Sequence, residues 1–258
     1  MKVIKRLYVA LVYIILYAPI AILILYSFND SRTRGHFTGF SLRWYKELFS
    51  DGDILSALYN TLICALLASV IATIIGTITA IGLYKMRKGP KTLILNLSHI
   101  PMLNPEIVTG VSLMLLFVLL GLDRGFFTML LAHITFDIPY VIVSVLPKLK
   151  QMNPHLYEAA LDLGAHPFKA FMNVVLPEIR PGIVTGFLFA VTMSIDDFVI
   201  SFFTTGNGVE NLSIYIYNAA RIGITPKVNA LSALMFVVML VLLIIINHRD
   251  DSKEEIKH

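Results

Sequence analysis

Six long apolar runs, each nearly free of charge, divide the sequence, with short charged segments between them. Inside a lipid bilayer no water satisfies backbone N–H and C=O groups, so a crossing segment must be helical. It needs about 20 apolar residues to span about 30 Å. Runs at about 7–28, 58–84, 95–120, 126–146, 183–203 and 228–247 meet that demand. The third is short unless its proline-containing approach from Leu95 is joined to the stretch Glu106 to Leu120. The reading is all-α: a single transmembrane domain over 1–258 with about six spanning helices. With 57% hydrophobic and only 15% charged residues, the chain lacks the polar side chains to cover a soluble surface. The net charge of +4 comes from basic residues scattered between apolar runs, which is unlike a nucleic-acid-binding face.

The first run follows Lys2, Lys5 and Arg6, as a signal peptide would. It is longer than the usual apolar core of such a peptide, and no small-residue cleavage site follows it, so it reads as a retained first helix. Six spans place both termini on one side. Of the 21 Lys and Arg residues, fourteen then fall on the side of the termini and seven on the other. The excess of Lys and Arg on the cytoplasmic side assigns both termini to the cytoplasm. Four of the seven external charges (Arg32, Arg34, Arg43, Lys46) share one loop with Asp30, Glu47, Asp51 and Asp53. The tail Arg249 to His258 reads as a solvated end. The single cysteine, Cys64, lies in an apolar run and allows neither an intrachain disulfide nor a cysteine metal site. No residue cluster suits a metal.

The longest internal connection, about 147–181, separates the fourth and fifth runs. Asn153 can cap a helix with Pro154 at its first position. Leu156, Ala159, Ala160 and Leu163 then form an apolar stripe, and Gly164 ends the helix. A second helix is expected from near Pro167 to just before Pro177, giving an amphipathic hairpin at the cytoplasmic surface.

Glu158-Ala159-Ala160, then Gly164, then Val174-Val175-Leu176-Pro177 at the right offsets resemble the EAA loop of ABC-importer permeases. That family has Ile where this chain has Val174. The resemblance implies the type I ABC importer permease (MetI-like) fold. It also implies that Glu158, Ala159, Ala160, Gly164, Leu176 and Pro177 belong to the segment that docks on a cytoplasmic ATPase. The alternative for this loop is an ordinary interfacial hairpin. No Walker A sequence is present: Gly89-Pro90-Lys91-Thr92 lacks the Gly-Lys-Thr adjacency. The chain is therefore expected to be no enzyme and to bind no cofactor, with ATP and Mg²⁺ used by a partner ATPase.

Acids inside spans are costly and mark function by default. On a continuous fifth helix, Asp197 shares a face with Ser194, Ser201 and Thr204. Asp196 shares one with Thr192, Val199, Ile200 and Phe203. Asp197 is then the better path-lining candidate, and Asp196 is left to pair with a neighbouring helix or a partner subunit. Asp137 sits in the fourth run with His133, Pro139 and Tyr140, and Glu106 opens the third. These acids suit a cation path, with Tyr140, Phe198 and Phe202 as cation–π partners and Ser201 as a polar neighbour. The competing reading is interhelix hydrogen bonding, or burial in the protonated form. His133 reads as a packed, hydrogen-bonded histidine.

Over nearly the whole chain, SIDDFVISFF (194–203), HITFDIPY (133–140), EAALDLGA (158–165) and KVNALS (227–232) look like the second permease of spermidine/putrescine importers, the PotC type. Asp137 is not carried over from that family. The resemblance implies polyamine substrate, a homologous second permease, two cytoplasmic ABC ATPase subunits and an extracytoplasmic polyamine-binding protein. That protein would contact loops around Phe37 to Leu48 and Asn207 to Tyr217. It also implies a multi-pass place in the bacterial inner (plasma) membrane, with no nucleic acid partner. The rivals are an ABC permease for another small cationic solute such as ferric iron, a secondary transporter or channel working without an ATPase, and a membrane scaffold.

Overall fold

The computed structural model describes residues 2–31, 36–206, 208–223 and 225–254; Arg32, Arg34, Asn207 and the end of the tail, including Lys257, lie outside the described residues. In chain order the helices are α1 (Lys2–Ser27), α2 (Arg43–Leu48), α3 (Gly52–Lys85), α4 (Lys88–Leu103), α5 (Glu106–Leu119), α6 (Phe126–Gln151), α7 (His155–Asp162), α8 (Pro167–Ala170), α9 (Leu176–Asp196), α10 (Val199–Thr204), α11 (Leu212–Ile222) and α12 (Pro226–Glu254). A π-helical turn, Phe171–Val175, joins α8 to α9. The all-α expectation holds: the described residues carry one isolated β-bridge, Asn29 to Phe40, and no strand.

Among the described residues five helices are long and apolar enough to cross a membrane, or six if one bent pair counts as a single span. That pair corrects the expected continuous run over 95–120: α4 and α5 meet at 106°. Pro105 drives Asn104 into an extended conformation (φ −75°, ψ 145°), which stops α4. The 14 residues of α5 are about 21 Å long at about 1.5 Å each, short of a full crossing.

The fourth span continues through Pro147 to Gln151, beyond its expected end at 146. The fifth begins at Pro167, well before 183, and stops at Asp196 instead of reaching 203. The expected stop before Pro177 does not occur. Pro177 has no N–H to donate, and the wider π turn just before it lets the helix run on, with Leu176 N–H bonded to Phe171 O. The connection between the fourth and fifth spans is thereby reduced to α7 and its flanks.

The chain divides into two compact units, residues 1–58 with 212–258, and residues 59–211. In the first, α12 runs beside α1 and α2. Trp44, Leu48, Ile54, Leu212 and Leu231 form its core. The Trp44 indole N–H donates to Asn29 O at 2.6 Å. The Asn29 side chain donates to His36 O at 2.8 Å and accepts from Thr38 N–H at 2.9 Å, folding the segment before α2 onto itself. Lys227 pairs with Asp51. Along α1 the apolar side chains, Leu7, Ile14 and Leu16 among them, point away from this core and are exposed.

In the second unit, α6 and α9 pack against each other through glycines. A Cβ at Gly182 would lie 2.7 Å from Ser144 O, and one at Gly186 would lie 3.1 Å from Val141 Cα. Gly76 of α3 approaches the same Val141, where a Cβ would sit 2.7 Å from its Cβ. Small residues at such crossings let backbones close up where apolar burial gives no gain over lipid. Leu83, Ile142, Val145, Leu149 and Ile179 fill the core around this crossing. α10 lies against α5 at Gly110, 3.0 Å from Phe203 Cδ2 by the same measure.

Candidate functional site

The fifth span breaks at the acid pair. Asp196 is the last residue of α9, and Asp197 is extended at φ −65°, ψ 124°. A helix start leaves N–H groups without partners. Here the Asp197 carboxylate accepts two of them, from Ile200 at 3.2 Å and Ser201 at 2.7 Å. The expectation that Asp197 shares a continuous helical face with Ser194, Ser201 and Thr204 is corrected accordingly, because the helix ends between them. The carboxyl group turns back to cap α10, and Asp197 is buried.

His133 on α6 lies against this break, as a packed and hydrogen-bonded histidine. Its Nδ1 is 2.7 Å from Ser194 Oγ, and its Nε2 is 2.9 Å from Ser201 Oγ and 3.4 Å from Asp197 Oδ2. Ser194 donates its hydroxyl hydrogen to Asp137 Oδ2 at 3.2 Å. Asn211 Nδ2 donates to Ser201 Oγ at 2.8 Å and to Asp197 O at 3.3 Å. Asp137, His133, Ser194, Asp197, Ser201 and Asn211 thus form one buried polar network. Its one open valence is Asp137 Oδ1, a buried atom with no hydrogen-bond partner among the described residues.

The structure separates the candidate path residues into two sets. Asp137, Asp197 and Ser201 are enclosed in the network, whereas Asp196 is exposed and Tyr140 and Phe198 are half-buried. Tyr140 meets Phe136 edge-on at 5.3 Å, and Phe198 lies 5.4 Å from Phe202. Glu106 is exposed at the first turn of α5, where a carboxylate complements the helix dipole. Asn211 was not legible as a site residue: it follows the break by fourteen residues and reaches it only through the fold.

At the other end of the long fifth helix sits α7. Asn153 Oδ1 accepts from His155 N–H at 3.0 Å, across Pro154, as a cap at this helix start should. At the far end Gly164 takes φ +83°; its N–H bonds to Leu161 O at 2.9 Å, and Ala165 N–H bonds to Ala160 O at 3.1 Å. That pair of bonds is a Schellman stop, which needs a left-handed residue where glycine stands. Tyr157 packs inward on the Leu83–Leu149 core, with Lys85 Nζ 5.3 Å from its ring. Leu156, Ala159 and Leu163 face out, and Leu163 is 89% exposed. Glu158 is exposed, 3.3 Å from His155 Nδ1. Ala160 and Leu176 are half-buried, and Pro177 is exposed at the start of α9. A cavity of about 430 Å³, lined by Tyr84, Lys85, Met152, Tyr157, Leu161 and Phe171, lies behind α7.

Residues 72–249 match the family described as binding-protein-dependent transport system inner membrane component. The chain belongs to this family. It is a multi-pass membrane protein and a permease component of ABC importers, as the loop with Glu158 and Gly164 suggested. Among its relatives is the spermidine/putrescine transport system permease protein PotC of Escherichia coli (strain K12), 39% identical over 233 residues, 90% of this chain and 88% of that protein. The putrescine transport system permease protein PotI of the same strain is 40% identical over 228 residues, 85% and 81% of the two. In fold the family member is similar to a chain of a bacterial ABC transporter involved in the import of the acidic polysaccharide alginate. The TM-score is 0.70 with 18% identity, covering 96% of this chain and 94% of that one. At that identity the likeness concerns the all-helical fold alone.

Proposed function

We propose that this chain is the membrane permease of an ATP-driven polyamine importer and forms half of its path, the other half coming from a homologous second permease. The observation that carries the reading is the 39% identity to PotC, sustained over 90% of the chain. The accessible groups at the break in the fifth span support it. Asp196 offers an exposed carboxylate two residues before the half-buried Phe198, and Tyr140 is half-buried. A carboxylate with aromatic faces suits ammonium groups on a flexible chain. Asp197, Asp137 and Ser201 act behind this surface, by holding the break in shape.

The coupling part of the proposal rests on α7. Its outward stripe Leu156, Ala159 and Leu163 is apolar, with the small Ala159 allowing close seating, and it docks in a groove of the cytoplasmic ATPase. Tyr157 and Leu161 anchor the same helix inward. From Pro167 a single helical rod of 30 residues runs to Asp196, about 45 Å at about 1.5 Å each. Motion at the ATPase end is delivered along it to the break. Two ATPase subunits hydrolyse ATP with Mg²⁺, and this chain itself binds no nucleotide. Both termini lie in the cytoplasm, in keeping with the fourteen-to-seven split of Lys and Arg. An extracytoplasmic binding protein delivers the polyamine to the opposite face, where the segments around 37–48 and 208–217 meet it.

The experiment is purification with the partner subunits, followed by ATPase assay across a panel of polyamines presented with the binding protein. Stimulation by spermidine or putrescine supports the reading. Stimulation only by another cationic solute, or purification with no ATPase together with gradient-driven uptake, would overturn it.

A further inference from the structure

The break in the fifth span is bridged from outside that span. His133, one residue on α6, reaches Ser194 on α9 with Nδ1 and Ser201 on α10 with Nε2, at 2.7 and 2.9 Å. These serines sit three residues before and four residues after Asp197. The imidazole thereby connects the end of α9 to α10 across the break, and it does so buried, at 1% exposure.

The hydrogen bookkeeping makes the contact directional. Ser194 has one hydroxyl hydrogen, and it goes to Asp137 Oδ2. Ser194 Oγ therefore accepts from His133, so Nδ1 carries a hydrogen. Asn211 Nδ2 already donates to Ser201 Oγ, and Ser201 N–H donates to Asp197. The ring thus has an assigned tautomer on the α9 side, and on the α10 side it faces Ser201 and Asp197, both held from elsewhere. Besides its members Asp137 and Asp197, the titratable groups near this cluster are Cys64 on α3, Tyr140 on α6 and Glu106 on α5.

We propose that His133 is a positioning residue that clasps the two halves of the fifth span across their break, and so sets how Asp196 and Phe198 face the path. The inference rests on the reading of those two residues as path-facing. In a low-dielectric interior a fully connected network of this kind fixes a geometry, whereas a partly connected one leaves buried hydroxyl groups unpaired.

The test uses the complete transporter, with its second permease, ATPase subunits and binding protein, in proteoliposomes. Cys64 is buried at 1% exposure, so Phe198→Cys provides a reporter thiol for labelling alone, and uptake is measured in variants that keep Phe198. His133→Leu keeps side-chain bulk and loses both nitrogen contacts; His133→Asn and His133→Gln each keep an amide that reaches one side. In His133→Leu the thiol labelling rate at 198 should change about fivefold or more, and maximal spermidine uptake should fall about tenfold with KM changed less. That is the loss expected when two buried hydroxyl groups lose a partner. Asn or Gln should return both readouts to within about threefold of wild type.

A His133→Leu transporter that labels and transports like wild type overturns the clasp. So does one in which Asn and Gln both remain as impaired as Leu. If His133→Leu fails to assemble, the double variant Ser194→Ala with Ser201→Ala takes its place, with the same expectations. Labelling that responds as described in a transporter that never takes up spermidine keeps the clasp and contradicts the polyamine reading. Intact spermidine uptake with labelling that does not respond does the reverse.

Discussion

The Asp197 carboxylate accepts the backbone N–H of Ser201, four residues further along the chain, at 2.7 Å. With the bond from Ile200 N–H, this contact makes an acid in an apolar run the cap of a new helix. It also places the neighbouring Asp196, rather than Asp197, at the accessible surface of the break.

Asp197→Ala removes the acceptor for two N–H groups, Asp197→Asn keeps one carbonyl oxygen for them. Losing a cap of this kind costs about 1–2 kcal/mol. The alanine variant should therefore melt lower than the asparagine variant, and uptake should fall in both, more steeply in alanine. Thermal unfolding of the purified complex and uptake by the same preparation check this. Equal stability of wild type and the alanine variant would remove the capping role.

Gly164 stands at φ +83°, where an L side chain is strained. Gly164→Ala should cost about 1 kcal/mol locally and loosen the end of α7 without disturbing the spans. The expected result is a transporter that assembles and hydrolyses ATP but moves less substrate per ATP. The ratio of uptake to hydrolysis reads this directly. An unchanged ratio would argue against α7 as the coupling element.

At Gly182 even one methyl group meets backbone, since a Cβ there lies 2.7 Å from Ser144 O. Overpacking of this kind costs about 1–3 kcal/mol. Gly182→Ala should lower the unfolding temperature of the complex, and Gly182→Leu should prevent its assembly. By contrast Gly89, where a Cβ meets nothing within 4 Å, should accept alanine with no change.

Asp51 is held below the usual carboxylate range chiefly by its hydrogen bond from Lys227. A carboxyl group with a depressed folded-state pKa stabilises the fold above its unfolded pKa and loses that contribution as pH falls through the folded one. Wild type should be more stable than Asp51→Asn at neutral pH. The gap should close below about pH 4, where an unperturbed carboxylate begins to protonate. Unfolding curves across that range measure it. A gap that persists in acid would mean the pair is not its source.

Much of the fold was legible because a bilayer imposes a length and an apolarity that sequence displays directly. The stop at Gly164 was legible too, because the residue after a helix often adopts a left-handed conformation that only glycine takes freely. The third span misled because an apolar run reports hydropathy and not direction, so the 106° bend at Asn104-Pro105 left only its proline as a trace. Pro177 misled in the opposite sense. A proline read as a stop is carried inside a long helix by a π turn whose bonding no local pattern announces. At the candidate site, the sequence did not show how Asp196 and Asp197 are oriented. Helical-face reasoning for Asp197 assumed the helix that Asp197 itself interrupts, and the partners that hold it, His133 and Asn211, come from elsewhere in the fold.

The most direct measurement is spermidine accumulation in proteoliposomes carrying the complete transporter and its binding protein, with and without enclosed ATP. Accumulation that requires ATP, and that falls when Leu163 on the outward stripe of α7 is changed to Asp, is the predicted result. Accumulation without ATP, driven by an ion gradient and indifferent to Leu163→Asp, would contradict it.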